Sequence, residues 1–346
     1  MNKIEGIEGD YIETIENNLF FDVKGLLHPT DYYICFLRFF PHSDGDRKKN
    51  GIQFKKVYKL NERYAILRKM YPSYLFYSKE LDLEVQGVKK EEIKKIYTPR
   101  NFLKTLLEKI KLSHNEKYSI DLCKLFINKG NLSERSIGIT GSTMVGLDIK
   151  NSDIDIVIYG TETSLVFQEK LAEIFKKSKT FRKYNIKEYK AHYEWRAGGS
   201  NIPFKDFLKI EQRKQHQGKF MNRDFFIRYI KSPKDWKGNF YDYQYNNSGR
   251  IKLKAEVIDS KDSIFTPCSY QINPLKILES TIDLKDTNIR DINEISSFRG
   301  RYCEHVKDGE LIFVEGKLEK VIYKNKFNHY RVLLTDQIKD KILILN

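Results

Sequence analysis

Cysteine is scarce in this chain. Four occur among 346 residues, Cys35, Cys123, Cys268 and Cys303, and no two are close in sequence. That spacing excludes a dense disulfide framework and any CxxC motif, and it predicts reduced, mostly buried thiols. Cys303-Glu304-His305 with the distant Cys268 offers the nearest approach to a zinc set, but no CxxC pair or second histidine completes it, so no zinc site is expected. No apolar run is long enough to span a bilayer, and the start, Met1-Asn2-Lys3-Ile4-Glu5-Gly6, is not a signal peptide. The expectation is a cytoplasmic protein with no membrane partner. Tandem repeats and low-complexity tracts are missing as well. So are a Walker loop, a GxGxxG fingerprint and a GxSxG elbow, which weakens P-loop NTPase, dinucleotide oxidoreductase and α/β-hydrolase readings.

Acidic residues are also in deficit. Asp and Glu number 47 against 62 Lys and Arg, a formal charge of +15. A surplus of this size favours a polyanionic partner, and nucleic acid is the commonest one. Its placement sharpens the point. Between Arg47 and Lys69 stand Arg47, Lys48, Lys49, Lys55, Lys56, Lys59, Arg63, Arg68 and Lys69, with Glu62 as the single acid. Tyr58, Tyr64 and Tyr71 are interleaved, a composition suited to neutralising a backbone while stacking bases.

Hydrophobic residues make up 40% of the chain, enough for a real core, and its length suggests two or three domains. Residues 1–98 read as a basic, β-rich module. Leu19–Val23 and Tyr32–Phe40 are its aromatic-rich strands, and Asn61–Met70 is a short helix capped by Asn61. Pro99 opens the next segment, 99–246. Here Phe102, Leu103, Leu106, Leu107 and Ile110 recur at helical spacing, and a second helix ends at Gly130-Asn131. A short strand Ser136–Thr140, a turn at Gly141-Ser142, a strand Asp153–Tyr159 and an amphipathic helix Ser164–Lys177 follow. Pro203–Gln217 is expected to be helical, Asp224–Ile230 to be a strand, and Gly238–Gly249 to be a linker. Beyond it, residues 247–346 alternate as strands do, with Ile251, Leu253, Ala255 and Val257 on one side and turn or kink candidates at Gly316 and Asn325. A small, OB-like barrel is the expectation for this last segment, by analogy. The class is therefore α+β.

The informative segment is residues 136–160, SIGITGSTMVGLDIKNSDIDIVIYG. A short strand delivers Gly141-Ser142 to a turn that opens a helix, where glycine permits close backbone approach and free N–H groups can meet phosphate oxygens. Asp153-Ile154-Asp155 then begins a strand. Residues i and i+2 of a strand share a face, so both carboxylates point one way while Ile154, Ile156 and Ile158 point into a core. Two such carboxylates can grip a pair of divalent cations about 4 Å apart. Mg²⁺ takes oxygen ligands and would bridge them to nucleotide phosphates.

This pattern resembles the signature of the DNA polymerase beta-like nucleotidyltransferases: an apolar residue, Gly, then Gly or Ser, a spacer, and acid–apolar–acid. The matching positions are Thr140 (off the apolar consensus), Gly141, Ser142, Asp153 and Asp155, and the likeness spans about 100 residues around them. More loosely, the whole chain resembles predicted archaeal nucleotidyltransferases with extra flanking regions. The resemblance implies a palm-like mixed sheet with helices and an in-line attack on the α-phosphate of a nucleoside triphosphate. Pyrophosphate leaves, and two Mg²⁺ ions assist, with Mn²⁺ as a substitute. It also implies a third carboxylate on a neighbouring strand, which would help hold metal and accept the attacking hydroxyl's proton. Asp224, opening the Phe225–Ile230 run, is the favoured candidate and Glu256 the alternative. Gly141 and Ser142 are the expected nucleotide-binding residues. Ser152 is a candidate cap for Asp153, and Arg213, Lys214 and Arg228 are candidate triphosphate counter-charges. The flanking basic and β-rich segments favour an RNA or other nucleic-acid end as acceptor. The competing functions are nucleotidylation of a protein or small molecule, and a catalytically inactive nucleic-acid-binding protein.

Overall fold

The structure is a computed structural model that describes residues 5–284 and 288–345. The described chain gathers into two compact units, one of residues 1–78, 83–182 and 217–240, the other of residues 79–82, 183–216 and 241–346. These units do not follow the expected segments 1–98, 99–246 and 247–346 one for one. Most of the first segment shares a unit with much of the second, and residues 183–216 belong with the C-terminal strands. No helix among the described residues is long and apolar enough to cross a membrane.

The first unit contains two sheets. An N-terminal sheet runs in the order Arg47–Lys49, Ile52–Lys56, Tyr32–Pro41, Phe20–Val23, Tyr11–Thr14 and Ile93–Tyr97, with Leu75–Ser78 and Leu83–Lys89 attached at its side. Its aromatic strands bury Phe20, Phe21, Phe39 and Phe54. The helix Leu60–Met70 starts one residue earlier than predicted. Lys59 is its N-cap and no side chain caps it, while Asn61 Oδ1 merely accepts the adjacent Glu62 N–H at 3.0 Å. Asn61 is already inside the first turn, where its carboxamide reaches only its neighbour.

The second sheet runs in the order Phe181–Arg182, Gln217–Phe220, Arg223–Ile230, Ile154–Tyr159 and Ile137–Thr140. It is mixed: Ile154–Tyr159 lies parallel to Arg223–Ile230 and antiparallel to Ile137–Thr140. Local sequence explains the surrounding helices. Pro99 occupies the first turn of Pro99–Leu107, where a missing N–H costs nothing. Ser113 and Glu116 form a capping box at the start of His114–Gly130, a device worth about 1 kcal/mol, and Asn131 ends that helix in a left-handed conformation at φ 55°. Phe126 and Phe167, from His114–Gly130 and Thr161–Lys177, meet edge to face with ring centroids 5.0 Å apart.

Two predicted elements differ. The helix foreseen over 203–217 spans only Phe204–Glu211, because Gln217 is drawn into a strand antiparallel to Arg223–Ile230. The foreseen linker 238–249 is largely the start of the long strand Tyr243–Asp259. Its glycine does not break the strand: Gly249, at φ +78°, sits in a register shift between Asn247 and Arg250 and bends it.

In the second unit, Tyr243–Asp259, Cys268–Ser280, Ile292–Ser297, Lys326–Leu333 and Leu311–Tyr323 pair in that order, and the last strand pairs back to the first. The ring is closed, so these strands leave few exposed edges. Ile292–Ser297 and Lys326–Leu333 run parallel and the other pairs are antiparallel. Ile251, Leu253, Ala255, Val257, Val314 and Val332 are all fully buried and pack in one cluster. Gly316 is required by packing, since a Cβ there would lie 2.7 Å from Val332 Cγ1. Lys324 and Asn325, both at positive φ, form the tight turn between Leu311–Tyr323 and Lys326–Leu333.

Candidate active site

Register builds the site. Ile154 pairs with Phe225 and Asp155 with Phe226 across the parallel strands, so Asp153 and Asp224, one residue earlier on each, stand opposite each other where the strands begin. On the other side Asp155 pairs with Thr140, the last residue before the turn. Ile154, Ile156 and Ile158 are buried on the far face. Alternation thus sets the acids on the other face, which is open only at the start of the strand, since Val157 and Tyr159 on that face are buried in a second cluster.

The turn is fitted to the acid beside it. Gly141 has φ +76°, and a Cβ built there would lie 2.1 Å from Asp155 Oδ2. Glycine is needed twice over, for the backbone angle and for the space the carboxylate fills. Thr140, the departure from the apolar pattern, has a tertiary reason: its hydroxyl donates to the Gly9 carbonyl at 2.5 Å. Ser142 is buried and donates to Ser152 Oγ at 3.3 Å, while Ser152 Oγ accepts the Ile149 N–H at 2.9 Å. The two serines therefore organise the loop between turn and acids. The helix opened at Gly141 is only four residues long, Gly141–Met144.

Asp153 is exposed to solvent at its surface yet crowded by neighbouring atoms beneath, and its carboxyl is raised to about 6. Withdrawal from water is the main cause and the negative charge of Asp155 the next, with Asp224 adding to the rise; Lys56 and Lys219 oppose it. Asp224 accepts a hydrogen bond from Lys219 Nζ at 2.8 Å. Glu256 lies on the closed ring of the second unit, paired with Asn273 and Leu311, and not on a strand adjoining Asp153 and Asp155.

The N-terminal sheet contributes residues that sequence reading assigned elsewhere. Arg47 Nη1 donates to the Leu147 carbonyl at 2.6 Å, and Lys49 Nζ to the Val145 carbonyl at 2.8 Å. Phe20, Phe39 and Phe54 pack with Met144, Val145 and Leu147 beneath them. This hairpin, Arg47–Lys49 and Ile52–Lys56, is therefore clamped onto the segment that follows Gly141. Lys56 ends it, half-buried. Its ammonium is lowered to about 8 by burial, then by Arg38, while Asp155 and Asp153 pull the other way. Arg47 and Arg63 are buried too, so the stretch 47–69 is not one continuous basic surface. Lys48, Lys55, Lys59, Arg68 and Lys69 are the exposed members. Phe226, half-exposed on the acid side beside Asp155, was also overlooked. The only signal for Lys56 was its charge, which alternation within its strand cannot assign to one acid or another.

The remaining cations are occupied. Arg228 pairs with Glu8 and lies 3.6 Å from Asp22. Arg213 pairs with Glu310 at 2.5 Å, and Lys214 with Glu211 at 2.5 Å. Buried Glu8 and Glu211 demand such partners and half-buried Glu310 is held in the same way, so each of these three serves as a structural counter-charge. All four cysteines are free and buried. Both ring nitrogens of His305 face backbone carbonyls, Arg301 at 3.3 Å and Ile342 at 3.2 Å, so His305 is not placed as a zinc ligand.

Among the described residues no group of three or more His, Cys, Asp or Glu side chains is placed to hold a metal ion. The donor set at Asp153 and Asp155 still suits a hard divalent cation: two carboxylates side by side, Asp153 raised chiefly by desolvation and then by the charge of Asp155, beside a glycine that leaves room for the Asp155 carboxylate. Mg²⁺ commonly takes only one or two carboxylates and completes its shell with water and substrate phosphates.

Paired acids on a sheet beside a glycine turn form an arrangement that can bring divalent cations and phosphate oxygens together. Residues 121–197 match the family model described as a nucleotidyltransferase domain, a stretch that includes Gly141, Ser142, Asp153 and Asp155 and stops before Asp224. Over 333 residues the chain is 27% identical to the uncharacterized protein MJ1086 of Methanocaldococcus jannaschii, covering 94% of each. No solved structure matches.

Proposed function

We propose that this protein is a metal-dependent nucleotidyltransferase that moves a nucleoside monophosphate from a nucleoside triphosphate to an RNA or other nucleic-acid end. The observation that carries the reading is the contact of Gly141 with Asp155, next to Asp153, inside the segment that resembles nucleotidyltransferase domains. Asp153 and Asp155 would hold divalent metal, Mg²⁺ in two copies with Mn²⁺ as a substitute, and Asp224 would join them on release from Lys219. Bound there, the cations would neutralise the triphosphate and polarise its α-phosphate. The acceptor hydroxyl oxygen forms a bond to the α-phosphorus, the bond from that phosphorus to the β-bridging oxygen breaks, and pyrophosphate leaves with the electron pair. The hydroxyl proton passes to a carboxylate, for which Asp224 is the choice. Gly141 and Ser142 would approach the β- or γ-phosphate, and Lys56 would add positive charge beside it.

The closed ring of strands supports reading residues 247–346 as the main part of an OB-like barrel, and the charge of +15 supports a nucleic-acid acceptor. Incubating the protein with Mg²⁺, triphosphates labelled at the α-phosphate and an RNA pool should label RNA. The double variant Asp153→Asn/Asp155→Asn should abolish labelling while RNA binding persists. Label on a protein or small molecule but not on RNA would reject the acceptor, and full activity of the double variant would reject the mechanism.

A further inference from the structure

The hairpin joining Leu311–Tyr323 to Lys326–Leu333 carries an unusual tip. Phe327 is 45% exposed there, although a phenyl ring gains nothing from water. Lys320 Nζ lies 5.6 Å from the centre of that ring, and Lys324 Nζ lies 5.3 Å from the centre of Tyr323. Tyr243, on the neighbouring strand, meets Tyr323 with centroids 4.9 Å apart. Between Gly316 and Arg331 the sequence holds five basic residues and a single acid, Glu319. That acid is fully buried and committed to Lys317 and Arg331. Among the described residues Lys320, Lys324 and Lys326 form no ion pair, so their charge is uncompensated at the surface. The tight turn at Lys324 and Asn325 fixes rings and ammonium groups on a rigid hairpin rather than on a loose loop.

We infer that this tip is a contact surface for single-stranded nucleic acid, the acceptor class of the reading above, on which the inference rests. The exposed Phe327 ring offers a surface to an unstacked base, backed by the Lys320 and Tyr323–Lys324 contacts, and the lysines meet the phosphates. A duplex keeps its bases stacked and would use only the lysines. An acidic protein partner would likewise use the charge and leave the rings idle.

The test is fluorescence anisotropy of a labelled, short single-stranded RNA with the full chain, without triphosphate, across a salt series. Wild type should bind it more tightly than a duplex of equal length. Phe327→Ala should weaken single-strand binding roughly tenfold at an unchanged salt slope. Lys320→Ala/Lys324→Ala/Lys326→Ala should lower the log–log salt slope by about 2. These residues lie outside the ring's core, and circular dichroism of each variant checks its fold. No binding at low salt, equal binding of duplex, binding of polyglutamate alone, or tip variants that bind as wild type would each overturn the inference. Labelling of RNA by a protein whose tip variants bind normally rejects the surface and spares the transferase. Tip-dependent binding without labelling by any form rejects the transferase and spares the surface.

Discussion

The carboxyl of Asp10 is 1% exposed and accepts the backbone N–H groups of Gly6 and Ile7 at 2.8 and 3.2 Å. Burial pushes it from 3.8 up to about 7, against the pull of those two hydrogen bonds. Unfolded, the group loses its proton near 3.8; folded, it keeps it to about 7, so the native state holds more protons in between. Stability therefore falls as pH rises through that window, by at most about 1.4 kcal/mol per unit, and levels off above it. Asp10→Asn keeps an acceptor and removes the charge. It should flatten that fall in urea melts run across the window, and an unaltered pH slope would refute the assignment. Lys56 makes a prediction of another kind. Lys56→Met should lower kcat/KM for triphosphate by about 10- to 100-fold, read as pyrophosphate release, while Lys56→Arg recovers part of it. The third carboxylate is separable in the same assay: Asp224→Asn should cost about 100-fold or more, and Glu256→Gln should cost nothing.

Single strands and turns were the most legible features of the sequence. Asp153-Ile154-Asp155 and the isoleucines after it declare an acid face and a core face because the period of a strand is two, whatever packs on either side. Pro99 and Gly130-Asn131 marked helix ends for equally local reasons. The failures were local signals overruled at a distance. Gly238–Gly249 has a linker's composition, yet Tyr243 and Tyr245 find Tyr323 and Val321 as strand partners. Residues 212–217 continue a helical pattern, but pairing of Gln217 with Phe226 draws the chain into the sheet. Gly141 joins both levels, since its motif is short and its necessity lies in a residue 14 positions on. Gly141→Ala should destabilise the fold by about 1–2 kcal/mol from the positive φ alone and displace the Asp155 carboxylate, leaving transfer undetectable. Wild-type activity in that variant would show that the turn and the acid are not matched.

Residues 183–216 give the second unit a small apolar cluster and a buried polar network beside the main core of the ring. Lys214 bonds Glu211 and the Arg301 carbonyl, His216 Nδ1 lies 3.1 Å from Glu304, and the Gln215 N–H donates to Glu304 at 2.5 Å. A fragment cut at residue 247 would strip Glu304 of these partners and Tyr243 and Tyr245 from the first strand of the ring. An unpaired buried carboxylate costs about 3–5 kcal/mol. That fragment should give weak near-ultraviolet circular dichroism, and a cooperative, native-like melt from it would refute the dependence.

The placement of Asp153 and Asp155 on one strand face after the Gly141 turn was readable along the chain, because a short spacing and a two-residue period suffice to write it. Charge was readable as a total, and so was the preference of residues 251–257 for a buried strand face. Which cation serves which anion was not, because Lys56, Arg213, Lys214 and Arg228 differ little in sequence context. Their roles follow from register across strands and from contacts spanning up to 220 residues, which place Lys56 near the paired acids and commit Arg228 to Glu8.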